Sequence, residues 1–297
     1  MSRQVERGSA PIALKRPVEE PPAPRRRQAA APKHAFLLAA VVLETIPLFF
    51  VLITALKSLD DYSLSKIGPP RSLYLGNFVT ALRDGQFFIW LANSAVLAVG
   101  AVLLSTTVSA LAAFAFARMR FRGSGWLLSV ITALMVIPPV VMVVPLFIML
   151  ARFDLISIYP GAILVYAGLV TPFSVYFLTN FFRGIPHEIV QAALIDGSSP
   201  FGVLTRILLP LSVPALMTLV IVNSLWVWND LLIALVLLPE DEMRPLMVGI
   251  TVFGSRYSSD VPVAMAGMLL ASLPMLLLYL FGQRYFIRGI VAGALKG

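Results

Sequence analysis

The run IVNSLWVWNDLL, residues 221–232, gathers the groups that noncovalent recognition would use. On a helix, Asn223, Trp226 and Asp230 fall on one face at spacing i, i+3, i+7, and Asn229 borders it. An amide, a carboxylate and an indole side by side offer hydrogen bonds next to an apolar plate. A carboxylate in or near such an apolar run is costly unless it faces protein or water. Two readings follow. Either this face lines a solute path, or Asp230 marks a membrane–water boundary with Trp226 and Trp228 as interfacial anchors. A second acid, Glu44, stands inside another apolar run and is a candidate by the same rule. Bond-making chemistry finds no equipment. There is no cysteine, and the two histidines, His34 and His187, are far apart and form no metal cluster. No GxxxxGK[ST] motif is present to cradle ATP phosphates. Nor is there a nucleophile–base pair, or the cluster of acids, His or Ser at one depth that an integral-membrane enzyme would need. No catalytic residue, metal or bound cofactor is therefore assigned to this chain.

A docking chemistry is written elsewhere, in QAALIDGSSPFGVLTRILLP from Gln191 to Pro210. With GIPHEIV before it, this reads as a helix with its end signals in order. Pro186 suits the first turn. Glu188 places an anion where the helix dipole favours one. Gly197 lies just past the end, where a left-handed cap is needed. Ser198 or Ser199 then caps a second helix that starts at Pro200 and runs to the Pro210 region. On the first helix Ile189, Ala192, Ala193 and Asp196 share a face, and two alanines there permit close approach of another surface. That surface is the helix's own bundle, lipid, or another protein.

The elements that must position these groups are membrane spans. Mean hydropathy is +0.88 and 13% of residues are charged, against about 25% in soluble domains. Six apolar runs are long enough to cross a bilayer, which takes about 20 residues. They lie near 35–56, 92–117, 126–150, 161–182, 211–237 and 261–283, and several contain proline, which kinks membrane helices. The fold expected is all-α, a polytopic membrane protein of six transmembrane helices with kinked spans and a short helical element between spans four and five. Residues 1–34 form a basic, Pro-rich tail too polar to fold, and 35–297 the membrane domain. If the N-terminus is cytoplasmic, 16 of the 23 Lys and Arg fall on the inner side, and eight acids fall outside. This is the positive-inside pattern, with both termini cytoplasmic. The basic balance therefore reports topology and attraction to membrane lipid rather than nucleic-acid binding. In the longest outer stretch, Asn77 to Trp90 reads as an interfacial helix. Tyr166, Thr171, Ser174 and Tyr176 read as helix-packing polar groups.

QAALIDG followed by RILLPLSVPAL resembles the EAA motif of ABC-importer permeases. NSAVLAV, WND and the ending QRYFIRGIVAGALKG extend the likeness over residues 35–297 to the second permease subunit of maltose-type (class 1 carbohydrate) importers. The resemblance implies a non-enzymatic transport subunit of an ATP-driven, binding-protein-dependent sugar importer in a bacterial inner membrane. Its substrate would be a di- or oligosaccharide of the maltose or trehalose type. The alternatives are a glycerol-phosphate or other polyol permease, and less readily an integral-membrane enzyme. Its implied partners are a second permease, two cytoplasmic ATPase subunits that hold ATP and Mg, and an extracytoplasmic sugar-binding protein. The 186–201 element would be the coupling helix that docks on an ATPase. Ala192, Ala193, Asp196 and Gly197 match the motif, but Gln191 stands where the family has glutamate. A carboxylate there can form an ion pair, whereas the amide can only hydrogen-bond. Glu188, one turn earlier, could supply the charge. Lys296 in the terminal AGALKG is a second candidate ATPase contact. Gly254, Ser255, Arg256 and Tyr257 would form the loop tip that meets the binding protein.

Overall fold

The computed structural model describes residues 30–83, 86–257 and 259–294, with the side chains of 33–83, 86–254, 256–257 and 259–283. The tail before residue 30, Asp84, the side chain of Ser255 and Lys296 lie outside them. Helices are the regular elements of the described residues, as the all-α expectation required. Contacts divide the chain into two units, 1–48 and 49–297. The first carries most of α1, Ala30–Ala55, which starts within the stretch read as tail. Its apolar side chains, Phe36 and Leu43 among them, are exposed, and so is Glu44, which makes no ion pair among the described residues.

The second unit holds α2 (Leu59–Leu64), α3 (Gly76–Arg83), α4 (Gln86–Arg118), α5 (Ser124–Ala133), α6 (Pro139–Arg152) and α7 (Tyr159–Gly184). Then come α8 (His187–Ile195), α9 (Pro200–Val203), a π-turn at Leu204–Leu208, α10 (Leu209–Leu211), α11 (Val213–Asn229), α12 (Leu232–Leu237), α13 (Leu246–Arg256) and α14 (Val261–Ala294). Among the described residues, four helices are long and apolar enough to cross a membrane: Lys33–Ala55, Gln86–Arg118, Tyr159–Gly184 and Val261–Gln283. The number rises to six if each of two bent pairs counts as one span.

In those pairs the third and fifth apolar runs, expected as kinked spans, are broken outright. The third is broken by 102° between Ser124–Val136 and Pro139–Arg152. Pro138 and Pro139 remove two successive N–H donors, and Ile137 ahead of them is extended at ψ 116, as a residue before proline prefers. The fifth bends by 76° between Pro200–Leu211 and Val213–Asn229, next to Pro210 and Pro214. It also stops at Asn229, because Asp230 is extended at ψ 132, and α12 follows separately. By contrast Pro145, Pro172 and Pro274 sit inside continuous helices. The expected interfacial helix from Asn77 to Trp90 is also divided: α3 ends at Arg83, and Phe87 and Trp90 belong to the first turns of α4.

The α4–α7 pair is the axis of the unit. Ala98, Ala101, Ser105, Ser109 and Ala113 of α4 are buried, facing α7 residues such as Ala162, Ala167, Ser174 and Leu178. Small residues at three- and four-residue spacing let the two backbones close up, which is how helices associate where lipid removes the hydrophobic drive between them. Thr171 donates across the seam to Ser105 Oγ at 3.1 Å, a bond contributing about 0.6 kcal/mol in such a setting. Two apolar clusters flank this axis. One surrounds Trp90, Leu97, Tyr166, Trp228, Leu237 and Phe253. The other, at the opposite end, joins Ala113, Leu178 and Phe182 to Val190, Ala193, Leu204 and Leu208. Gly249 permits a close approach in the first cluster, since a Cβ there would lie 2.1 Å from the Trp90 ring.

Candidate functional site

At its C-terminal end α8 is bounded as its sequence demanded, whereas Pro186, expected in the first turn, stands just before it at the N-cap. Gly197 has φ +83. Its N–H reaches Leu194 O at 3.1 Å, and Ser198 N–H reaches Ala193 O at 2.9 Å. These two bonds are the Schellman pair that ends a helix on a left-handed glycine. Two residues on, Ser199 Oγ accepts from Gly202 N–H at 3.1 Å and starts α9 with Pro200 in its first turn. The turn is thus held by caps on both sides.

Its faces are not the ones expected. Val190 and Ala193 point inward and join the second apolar cluster. Ala193, expected on the docking face, is 8% exposed. The outward face carries Glu188, Gln191, Ala192 and Ile195, at spacing i, i+3, i+4, i+7. Ile195 is 86% exposed and is a residue that sequence reasoning missed. Ile189 and Asp196 are exposed at the flanks. In a helix this rich in Ile, Val, Ala and Leu, no single apolar stripe marked the buried side. Glu188 does share the outward face with Gln191, one turn earlier.

The second site lies where α11 ends. Asp230 Oδ2 accepts from Ile233 N–H and Ala234 N–H, both at 3.1 Å, and so caps α12. The same oxygen accepts from Tyr166 Oη at 2.8 Å. Tyr166, 1% exposed, also meets Trp226 edge-on with ring centroids 6.2 Å apart. Asn223 is buried and donates to Ser174 Oγ at 2.9 Å. Asn229 is exposed and bonds back to Leu225 O.

Two cavities adjoin here. One, of about 630 Å³, is lined by Trp226, Asn229, Asp230 and Tyr279 among mainly aliphatic residues. The other, of about 680 Å³, is lined by Asn223 and Trp226 among Met135, Met142, Met149 and Phe173. Trp226, Pro139 and Val222 belong to both. The structure therefore brings Trp226, Asn229 and Asp230 together and places Asn223 on the other side of Trp226. The helical spacing misled because the helix does not continue through Asp230. Trp228 is 5% exposed, which rules it out as an interfacial anchor. The Tyr166–Asp230 pair was missed; its signal was a phenol in mid-span that needs a buried acceptor.

A third set of contacts orders the segment before α13. Asn93 Nδ2 donates to Glu242 O and Arg244 O, both at 2.8 Å, while its Oδ1 accepts from Tyr159 Oη at 2.7 Å. Ser94 Oγ accepts from Leu246 N–H at 2.8 Å. Arg244 pairs with Asp241 and donates to Pro239 O. The Asn-Ser doublet of NSAVLAV thus holds this segment against the α4 end. Gly254, Arg256 and Tyr257 are not a loop tip. Gly254 and Arg256 lie in the last turn of α13, and Tyr257 closes it with an N–H to Phe253 O at 2.9 Å and a ring contact at 4.6 Å.

The structure thus combines long apolar helices, two bent helix pairs, a capped helix at one end of the bundle and a tethered segment at the other. The chain belongs to the family of binding-protein-dependent transport system inner membrane components, which residues 105–291 match. It is an integral membrane protein of that family. Relatives bear this out along nearly the whole chain. ORF2 of Caldicellulosiruptor sp., named as an ABC transporter permease protein, is 40% identical over 263 residues, 88% of this chain and 95% of its own length. The diacetylchitobiose uptake system permease protein NgcG of Streptomyces coelicolor is 30% identical over 272 residues, 91% and 90% of the two chains. Among solved structures, a bacterial ABC transporter involved in import of the acidic polysaccharide alginate shares the fold with TM-score 0.77 at 22% identity. The match covers 90% of this chain and all of that one.

Proposed function

We propose that this chain is one of two permease subunits of an ATP-driven, binding-protein-dependent importer of di- or oligosaccharides. The observation that carries the reading is α8, a helix capped at both ends of its connection whose outward face, Glu188, Gln191, Ala192 and Ile195, is left uncovered by its own chain. In this reading α8 is the coupling helix and lies in the cytoplasm with both termini, each bent pair counts as one of six spans, and the 239–260 segment faces the sugar-binding protein. Two ATPase subunits hold ATP and Mg. Closure of that pair pushes α8, and the spans alternate between inward and outward access.

The solute class is a saccharide on two grounds. NgcG is named for a disaccharide substrate, and Trp226 offers an apolar ring face beside Asn229 and Asp230. No Lys or Arg is among the described residues lining either cavity, which disfavours a phosphorylated polyol. Because Asp230 is engaged by Tyr166 and α12, most hydroxyl contacts fall to the second permease. The test is uptake by proteoliposomes containing the whole complex, with ATP inside and binding protein outside. A labelled disaccharide should accumulate and glycerol phosphate should not; the reverse pattern overturns the saccharide reading.

Gln191 leaves the outward face with one carboxylate, Glu188. Gln191→Glu adds a second at i, i+3, a like-charge contact costing about 0.2–0.5 kcal/mol, and restores an ion-pairing group. ATPase subunits are therefore expected to bind the variant as tightly as wild type or up to about tenfold more tightly. A titration showing weaker binding would count against this docking face.

A further inference from the structure

Where α4 ends beside α7, two arginines cross. Arg118, the last residue of α4, donates through Nη2 to Phe182 O and, at 2.6 Å, to Ile185 O. Arg183, near the end of α7, donates back to Phe116 O at 3.4 Å. The Arg118 side reaches further. Ile185 is extended at ψ 133 before Pro186, so its carbonyl lies outside the helix ladder and needs another donor. Arg118 Nη1 also lies 3.5 Å from His187 Nδ1, at the first residue of α8. One planar head group thus touches the end of α7, the two-residue linker and the start of α8. A guanidinium suits this task because its donors form a rigid fork and its charge favours a helix C-terminus.

We propose that Arg118 is the positioning residue for α8, fixing the angle at which the coupling helix leaves the α4–α7 axis. Force on α8 then passes to both spans rather than into a slack linker. Its partner Arg183 contributes packing of the α4 end only, since its bond reaches neither the linker nor α8. This inference rests on the coupling role proposed above. Ile185 O is the carbonyl most dependent on the clasp, and Pro186 after it has no N–H to stiffen the linker by a backbone bond.

The experiment uses the assembled complex in nanodiscs and reads two quantities. One is the factor by which loaded binding protein stimulates ATP hydrolysis over the basal rate. The other is amide hydrogen exchange in peptides covering 187–196. Arg118→Met keeps the stem and removes the donors. It is expected to leave basal hydrolysis within about twofold, cut the stimulation factor at least fivefold and speed α8 exchange. Arg183→Met is expected to keep both quantities near wild type. Equal effects of the two variants would reveal packing alone and overturn the proposal, as would wild-type stimulation and exchange in Arg118→Met. If Arg118→Met does not assemble, Arg118→Lys decides. Its point charge cannot span two carbonyls and His187, so α8 exchange should still rise about threefold, and unchanged exchange overturns the proposal. If the wild-type complex shows no stimulation, the importer reading itself fails, and Arg118 has no coupling to position.

Discussion

Gly197→Val is expected to reduce ATP-driven uptake at least tenfold in a complex that still assembles and still hydrolyses ATP. The residue sits at φ +83, and a side chain added there meets nothing within 4 Å. The cost is therefore conformational and not a clash. A β-branched residue resists the left-handed region by about 1–3 kcal/mol. Escaping that region breaks the bonds from Gly197 to Leu194 O and from Ser198 to Ala193 O together. The last turn of α8 then frays, and Ile195 and Asp196 lose their placement on the proposed docking surface. In the importer proposed above, basal hydrolysis belongs to the ATPase subunits and survives, so the expected defect is one of coupling. The measurement is sugar uptake and ATP turnover on the same proteoliposomes. Uptake at the wild-type rate would show that the cap does not set the docking geometry.

Asn93→Leu has the largest expected effect at the opposite end of α4. The substitution keeps the branched shape but removes both donors and the acceptor. Glu242 O, Arg244 O and the Tyr159 hydroxyl lose their partner at a site where Asn93 is 4% exposed. Leaving buried groups unpaired costs about 1–3 kcal/mol each, and about 2–4 kcal/mol is expected after water reaches the carbonyls. The purified complex should melt at lower temperature, and its affinity for the loaded binding protein should fall at least tenfold. An unchanged affinity together with a lower Tm would confine Asn93 to stability and remove the 239–246 segment from the binding-protein contact.

What could be read from the sequence divides by the range of the physics. The end signals at Gly197, Ser199 and Pro200 act within four residues of themselves, so types and spacing sufficed. The apolar runs were equally plain, because crossing lipid demands length and composition. Their breaks were not. Pro138–Pro139 breaks a helix whereas Pro145, Pro172 and Pro274 do not, so the presence of proline alone does not say where a break falls. The candidate solute face assumed a helix through Asp230, but that carboxylate does better capping α12 and accepting from Tyr166, 64 residues away. The Asn93 contacts join residues 149 and 151 positions apart. A polar doublet in an apolar run signalled that a partner existed, not which one.

The length of α4 has a mechanical consequence. At 33 residues it is about 50 Å long, well beyond the roughly 30 Å hydrocarbon layer, and its bonds to the segment before α13 and to the α7–α8 linker sit toward its two tips. A rod gripped near both tips is a lever. Tilting it by about 5° about its midpoint carries each tip about 2 Å, in opposite directions. The segment held by Asn93 and the helix held by Arg118 would then travel in antiphase, one advancing as the other retreats, without any bend in between.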